Sequence, residues 1–303
     1  MTTAAARRPG SYDPWATTAG GLDAECARLE AQAELTFDAE LALLAQLLPA
    51  GPLIEVGAGP GAVTRRLLGA VPDLSVIAVD IDPELLGRNP AARRVLGDGS
   101  ALPLTGGSAG CVLIRYVLQH VPDPLAVLRE AFRVLAPGGL VVVTDVDDAL
   151  WGLADPFFPD VAGVHAALSR AQGRRGGNRG IGRSMTRLLR SAGFDRTALR
   201  PFAVSNDDRP TAAFAAHLGP GRLVPLVASG DLDLTGLAIA TDRWNRFVSD
   251  PDAWILLLGL TAIGSKPDTP ATGISTPDTP APHTPAPDSD CDQRSARSER
   301  KPS

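Results

Sequence analysis

The sequence predicts an α/β fold whose centre is a doubly wound, mostly parallel sheet of seven strands. Three observations lead to this prediction. Short apolar runs alternate with helical segments between residues 53 and 146, a glycine-rich turn (57–61) follows the first run, and a long helical segment precedes it. Short strands that alternate with helices are typical of parallel sheets with helices on both faces.

Each predicted strand is a short run rich in valine, isoleucine and leucine. In chain order the seven runs are LIEV (53–56), SVIAV (75–79), RVLGD (94–98), CVLIR (111–115), LVVVTDV (140–146), ALRPFAVS (198–205) and AWILLLGLTAIGS (253–265). Helices are predicted from Ala62 to about Gly69, after Pro83, over 124–135 and over 184–192. The last of these ends at Gly193, a residue suited to the left-handed position after a helix.

The predicted sheet is flanked by further segments. Apolar residues recur at three- and four-residue steps over 22–48, which predicts a helix, and residues 1–48 are interpreted as a helical lid. Residues 49–265 form the main domain, within which 209–252 are predicted to be a helical insertion before the last strand. The Pro-, Thr- and Ser-rich tail, 266–303, is predicted to be disordered.

Composition excludes several classes of protein. The chain has 303 residues and a formal net charge of -5, which argues against a nucleic-acid partner. Its only lysines are Lys266 and Lys301, so enzymes that need a lysine inside the fold are excluded. Three cysteines without metal-like spacing indicate neither a zinc site nor a disulfide framework, and no apolar run is long enough to span a membrane. We expect a cytoplasmic protein without a membrane or metal partner. The oligomeric state is left open, a homo-oligomer included.

The glycine turn indicates a nucleotide-like ligand, because glycines after a strand let backbone N–H groups and a helix N-terminus approach it closely. Gly57-x-Gly59-x-x-Ala62 also satisfies the dinucleotide pattern, so the turn alone does not choose the cofactor. Glu55 is a poor neighbour for a pyrophosphate and a good one for an ammonium group. Asp80 ends the second strand, where a carboxylate accepts ribose hydroxyls in either case. Asp98 ends the third, where a carboxylate accepts from an adenine amino group.

With these residues, the stretch from about 50 to 146 resembles the class I, Rossmann-like S-adenosylmethionine-dependent methyltransferases, particularly the small-molecule group similar to ubiquinone and menaquinone biosynthesis methyltransferases. The GRSMTRLLRSAGF segment is similar more loosely. The resemblance implies S-adenosylmethionine as cofactor and a role for each matching residue. These roles are the methionine end for Glu55, Gly57 and Gly59, the ribose for Asp80, the adenine for Asp98 and Gly99, and the sulfonium neighbourhood for Arg115.

The catalytic candidates follow the fourth strand. Methyl transfer needs alignment, exclusion of water and, for some acceptors, removal of a proton. His120 is the candidate general base, with packing in the loop as the alternative, and Tyr116 is a phenol that could face the methyl group. Arg115 has an alternative too, an ion pair with Glu130 or another acid. The acids at 145, 147 and 148 and the arginine-rich loop 173–183 are either substrate contacts or surface charge.

The leading hypothesis is methyl transfer to oxygen, nitrogen or carbon of a small, apolar, natural-product-like acceptor in secondary metabolism. Two alternatives remain open. One is a cyclase or pericyclase that keeps the cofactor but transfers no methyl group, and the other is an NAD(P)-dependent oxidoreductase. The aromatic residues Tyr12 and Trp15 are interpreted either as part of a lid over the site or as an unanchored terminus.

Overall fold

The computed structural model describes residues 10–15, 17, 20–47, 51–150, 152–156 and 159–268. Leu48, at the end of the predicted first helix, and nearly all of the predicted disordered tail lie outside the described residues. None of the described helices is both long enough and apolar enough to cross a membrane.

Within the described residues the secondary structure alternates as the sequence predicts. The elements are α1 (Gly21–Leu47), β1 (Leu53–Val56), α2 (Ala62–Ala70), β2 (Val76–Asp80), α3 (Pro83–Gly87), β3 (Arg93–Leu96), β4 (Ala109–Arg115), α4 (Pro124–Val134), β5 (Leu135–Asp145), β6 (Leu153–Asp155), α5 (Pro159–Gly173), α6 (Met185–Ser191), β7 (Asp195–Ser205), α7 (Ala215–Leu218), α8 (Val224–Ala228), α9 (Leu234–Ser249) and β8 (Trp254–Ser265). Short 3-10 helices cover Ile181–Ser184, Thr211–Phe214 and Pro220–Leu223.

The strands form one sheet. The order β3-β2-β1-β4-β5 is parallel throughout, and β8 is antiparallel to β5. Leu256 of β8 is paired with both Ser205 of β7 and Leu153 of β6, so β7 and β6 lie on opposite edges of β8. The predicted α/β fold class is confirmed. The sheet has one strand more than the seven predicted, because three-residue β6 is too short to show a period in the sequence.

The elements of the structure differ from the predicted ones in their bounds and in their number. Strand β3 ends at Leu96, and Asp98 forms a separate bridge with Ala101. Strand β5 begins at Leu135, before the Pro-Gly-Gly turn that was predicted to precede it. The register of its pairing with β4 shifts between Ala109 and Cys111 of β4. Gly138 of the turn has a φ of 74°. Helix α5 was not predicted as an element, and it provides part of the site described below.

Helices cover both faces of the sheet, as strand alternation requires. Ile54 and its neighbours on one face pack against Leu128 of α4 and Leu189 of α6. Leu53 and its neighbours on the other face pack against Phe37 of α1. The carboxyl ends of β1, β2, β4 and β5 therefore meet at one edge of the sheet, between the two helical layers.

The segment between β7 and β8 packs beside this edge. We call the helices of residues 211–249 the cap. Phe214, Trp244 and Phe247 of the cap form a buried cluster with Leu35 of α1 and Leu257 of β8. Because α1 and the cap share this cluster, a single set of apolar contacts holds both beside the carboxyl ends of the strands.

Candidate active site

The glycine turn connects β1 to α2. Gly57 and Gly59 both have positive φ angles, 70° and 51°. A Cβ at Gly57 would lie 2.3 Å from Val117 Cγ2, whereas a Cβ at Gly59 would meet nothing within 4 Å. Glycine is therefore required at position 57, because a side chain there would clash with Val117. Gly59 leaves its face of the turn open, which is the kind of cradle that a ligand needs.

Asp80 holds the turn against the end of β2. Its Oδ2 accepts a hydrogen bond of 2.7 Å from the Gly59 N–H, and its Oδ1 accepts one of 2.8 Å from the Asp82 N–H. Burial raises the pKa of this carboxyl, and the backbone N–H donors act in the opposite direction. Each carboxylate oxygen keeps capacity for a further donor, so these contacts leave Asp80 able to accept ribose hydroxyls.

Glu55 is buried beneath the turn, 4% exposed. Its Oε2 accepts a hydrogen bond of 2.6 Å from Thr64 Oγ1. Burial raises the pKa of the Glu55 carboxyl to about 7, with Thr64 and Arg115 opposing the shift. An ammonium group placed here would favour the carboxylate, which is the chemistry that the sequence predicts for the methionine end.

Asp98 and Gly99 lie in the loop after β3. Asp98 Oδ1 accepts hydrogen bonds of 2.8 Å from both the N–H and the hydroxyl of Ser100, which fixes the loop. A Cβ at Gly99 would lie 3.0 Å from Val56 Cγ1, so the loop backbone lies close against the end of β1. Both residues line the same cavity as the glycine turn and Asp80.

Arg115 lies at the end of β4 and also lines that cavity. Its Nε donates to Glu40 Oε1 of α1 at 2.8 Å, another of its nitrogens donates to Thr36, and its guanidinium lies 4.4 Å from the Tyr116 ring centroid. Of the two roles left open by the sequence, the ion pair with an acid is present, with Glu40 as partner. Glu130 instead binds Arg133. The role near the sulfonium stays a prediction.

Tyr116 follows with a positive φ of 56°. Its ring packs edge-on against His217, with ring centroids 6.4 Å apart. Burial raises the pKa of the phenol well above its usual range, so Tyr116 is uncharged at neutral pH. Its backbone conformation turns the chain at the end of β4. Tyr116 lines the cavity, which a phenol that faces the methyl group has to do.

His120 lies under the N-terminal segment. Its Nδ1 is 3.0 Å from Ser11 Oγ, and its ring centroid is 5.2 Å from that of Tyr12. Burial, followed by four nearby arginines, lowers the pKa of His120 to about 3. The imidazole is therefore neutral at physiological pH and a weak proton acceptor, which opposes the predicted role as general base.

The N-terminal segment closes one side of the cavity. The Ser11 N–H donates to the His120 carbonyl at 2.8 Å, and the Tyr12 hydroxyl donates to Glu25 Oε1 at 2.8 Å. Tyr12 lines the cavity, whereas Trp15 is 49% exposed and does not line it, and the lid interpretation stays a prediction.

The acids at the end of β5 and just after it are bound within the protein. Asp145 is fully buried and accepts from the Gln119 and Val146 N–H groups, and burial raises its pKa to about 7. Asp147 and Asp148 instead form ion pairs with two arginines of the arginine-rich loop, Arg183 and Arg179. In the sequence these acids and arginines lie in separate segments, and no sequence pattern shows which acid pairs with which arginine.

One cavity of about 760 Å³ is lined by these residues and by a group of five arginines. We call the part lined by the glycine turn, Asp80 and Asp98 the cofactor end. We call the part lined by Arg28 of α1, Arg174, Arg175 and Arg179 of the loop after α5, and Arg222 of the cap the arginine end. Three of these arginines belong to the arginine-rich loop for which the sequence left substrate contact and surface charge open, whereas Arg28 and Arg222 are single arginines that no motif marks.

Comparison with known proteins identifies the central part of the chain. Residues 54–143 match a family model described as a methyltransferase domain. The chain is 33% identical over 205 residues to an uncharacterized 37.1 kDa protein of a Streptomyces fradiae transposon, covering 65% of this chain and 57% of that protein. It is 31% identical over 109 residues to a demethylmenaquinone methyltransferase of Renibacterium salmoninarum, covering 35% of this chain and 45% of the relative. The chain thus spans about half the length of these relatives.

A solved structure gives the same fold. A methyltransferase of Thermotoga maritima, described as S-adenosylmethionine-dependent and a possible histamine N-methyltransferase, superposes with a TM-score of 0.50 at 17% identity, covering 80% of this chain and 94% of that one. At this identity the likeness concerns the fold alone. The domain match therefore identifies residues 54–143 as a methyltransferase domain, and the named relative to which the chain is similar is a methyltransferase.

Proposed function

We propose that this protein transfers the methyl group of S-adenosylmethionine to an oxygen, nitrogen or carbon atom of a small-molecule acceptor. The observation that carries the proposal is a cavity of about 760 Å³ that is lined both by the predicted cofactor residues and by residues of α1, α5 and the cap. A relative named for demethylmenaquinone, a small molecule, supports this class of acceptor.

The cofactor supplies an electrophilic methyl group on a sulfonium. In the proposed site Glu55 binds the ammonium group, Asp80 the ribose hydroxyls, and Asp98 and Gly99 the adenine. Tyr12 and the Ser11 backbone cover the cavity beside His120, which excludes water and aligns the acceptor. His120, with a pKa of about 3, is a poor proton acceptor, so we propose that the acceptor atom is nucleophilic when it binds.

Isothermal titration with S-adenosylmethionine tests the cofactor half of the proposal. The wild type is expected to bind, and Asp80→Ala to bind about 100-fold more weakly, since it loses the ribose acceptor and the anchor of the Gly59 N–H. Asp73→Ala, an exposed aspartate outside the cavity, is the matched control. A wild type that shows no binding overturns the proposal.

Acceptor identity is tested by incubating the protein and cell extract with isotopically labelled S-adenosylmethionine. The expected result is S-adenosylhomocysteine together with a labelled product of small mass, both absent with Asp80→Ala. Label found only in protein or nucleic acid would contradict a small-molecule acceptor.

A further inference from the structure

The arginine end holds an unusual concentration of positive charge inside a cavity. Three of its arginines are neutralised by carboxylates. Arg28 pairs with Glu25 at 2.6 Å, Arg179 with Asp148 at 2.6 Å and Arg174 with Asp231 at 2.5 Å. Each pair is held by two separate nitrogen–oxygen contacts.

Arg222 differs from these three. It lies in the 3-10 helix Pro220–Leu223 of the cap, is partly buried, and lines the cavity. Among the described residues no carboxylate forms an ion pair with it and no acceptor takes a hydrogen bond from it. Arg175 also has no carboxylate partner in the described part of the chain, but its side chain is exposed and hydrated.

The surroundings of Arg222 do not favour its charge. Burial, together with the nearby guanidinium groups of Arg28 and Arg179, lowers the pKa of Arg222 to about 9. An arginine held without a counter-ion costs free energy, and an anion in the cavity would remove that cost. Glu25 and Asp148, the partners of Arg28 and Arg179, act in the opposite direction on this pKa, but neither forms an ion pair with Arg222 in the described part of the chain.

The wall beside Arg222 is apolar. Leu168 and Ala171 of α5 and Pro225 and Leu226 of α8 line the cavity there. Amide side chains of Gln119 and Gln172 complete the wall, and the Gln172 Nε2 group already donates to the Gln119 carbonyl at 2.9 Å. The arginine end therefore offers apolar surface for a hydrophobic body and, in Arg222, a partly buried cation without a carboxylate partner among the described residues for a negative end.

From this arrangement we propose that the acceptor is an amphipathic oxyanion, an apolar molecule with a carboxylate or phosphate that Arg222 binds. The inference rests on the proposed function and narrows its acceptor class. Arg222 is a specificity-determining residue that positions the acceptor in the arginine end. The cofactor's own carboxylate is the competing occupant, but Arg222 belongs to the cap, whereas the predicted cofactor residues belong to the strand ends and the loops that follow them.

The test uses three probes that share one ring: benzoate, phenyl phosphate and benzamide. Each is titrated calorimetrically into the 303-residue chain saturated with S-adenosylhomocysteine. We expect at least one anion to bind about tenfold more tightly than benzamide, since a charge-assisted contact replaces a neutral one. The better of the two anions identifies the group as a carboxylate or a phosphate.

Three variants locate the effect. Arg222→Gln is expected to bind the anions and benzamide equally, Arg222→Lys to retain part of the preference, and Arg129→Gln, an exposed arginine of α4 outside the cavity, to match the wild type. Thermal unfolding of each variant separates a binding effect from a folding defect. Arg222→Lys keeps the charge and so keeps the test decisive if Arg222→Gln does not fold.

Several results would overturn the inference: no binding of either anion, equal binding of anions and benzamide by the wild type, or an anion preference that persists in Arg222→Gln. A loss of S-adenosylhomocysteine affinity in Arg222→Gln would assign Arg222 to the cofactor and overturn it as well. Failure of the wild type to bind S-adenosylhomocysteine counts against the proposed function instead. The same titrations on the free protein then decide the anion preference.

Discussion

The two ends of the cavity are built in different ways. At the cofactor end, carboxylates are held by backbone N–H groups close in the chain. Asp98 binds Ser100, and Asp80 binds Asp82 and, 21 residues away, Gly59. Around the arginine end, side chains from distant segments meet. Gln119 accepts from Gln172 across 53 residues, and the Ser11 hydroxyl contacts His120 across 109.

Local contacts build the cofactor end, and long-range contacts build the arginine end. Backbone donors at a strand-to-helix turn are available whenever the turn forms, so a short motif is enough to build the cofactor end. An ion pair between distant helices depends on how those helices pack. Substitutions at the two ends are therefore expected to differ in their effects.

The first prediction concerns the glycine turn. Gly57→Ala places a Cβ 2.3 Å from Val117 Cγ2, on a stiff β-branched side chain, and at a φ of 70°. We expect the free energy of unfolding to fall by about 2–4 kcal/mol, from left-handed strain plus overpacking, and cofactor binding to be lost. Gly107→Ala is the control, because Gly107 has a φ of 71° and open space around it. Denaturant unfolding of both variants is the measurement, and equal losses would contradict the clash.

The second prediction concerns the pair of Arg115 and Glu40, whose side chains are 7% and 2% exposed. Arg115→Met is expected to reduce the free energy of unfolding by about 3 kcal/mol, because it leaves a buried carboxylate without its partner. Adding Glu40→Met should recover much of the loss. Arg246→Met, which breaks an exposed pair with Asp242, should cost less than about 0.5 kcal/mol. A small effect of Arg115→Met alone would show that α1 is not held at the strand ends by this pair.

The third prediction concerns pH. The pKa of Glu55 is about 7 in the folded protein and 4.5 without the fold's influence, so the folded state keeps a proton that the unfolded chain loses in this window. The contribution of Glu55 to the free energy of unfolding is therefore at its full value below about pH 4.5, and it is lost as the pH rises through about 7. Ammonium binding needs the carboxylate, so affinity for S-adenosylmethionine should instead rise about three- to tenfold between pH 6 and 7.

Calorimetric titration across that range checks the affinity change. Glu55→Gln should bind weakly at every pH and show no rise, while Glu84→Gln, an exposed helical glutamate, should behave as the wild type. A wild-type affinity that stays constant from pH 6 to 7 would argue that Glu55 does not bind the ammonium group.

The smallest expected effect is at His120. With a pKa of about 3, the imidazole should show no protonation above pH 5 when its ring signals are followed by NMR. His120→Gln, which keeps a polar side chain near Ser11, should then change kcat less than about threefold once an acceptor is known. The general-base hypothesis would be restored if His120→Gln lowered kcat about 100-fold and the wild-type kcat depended on a group that titrates near pH 6.

Much of the cofactor end was predictable because its determinants are local. Gly57 and Gly59, Asp80 and Asp98 follow strands that the apolar pattern locates, and parallel strands bring their carboxyl ends to one edge. The sequence also predicted all seven principal strands. The sequence did not predict β6, which has three residues and no detectable period, and it did not predict α5. His120 was identified by position, but its low pKa arises from Arg28, Arg175, Arg179 and Arg222, which no pattern places nearby.

Apolar periodicity and turn chemistry act over a few residues, so the sequence alone was enough to predict the fold class and the residues that line the cofactor end. The pairing of Arg115 with Glu40, the pairing of Asp147 and Asp148 with Arg183 and Arg179, and the position of Arg222 in the cavity without a carboxylate partner among the described residues follow from the packing of distant segments. The charge balance of a cavity is a sum over side chains that packing brings together, and the distances between those residues along the chain do not reveal it.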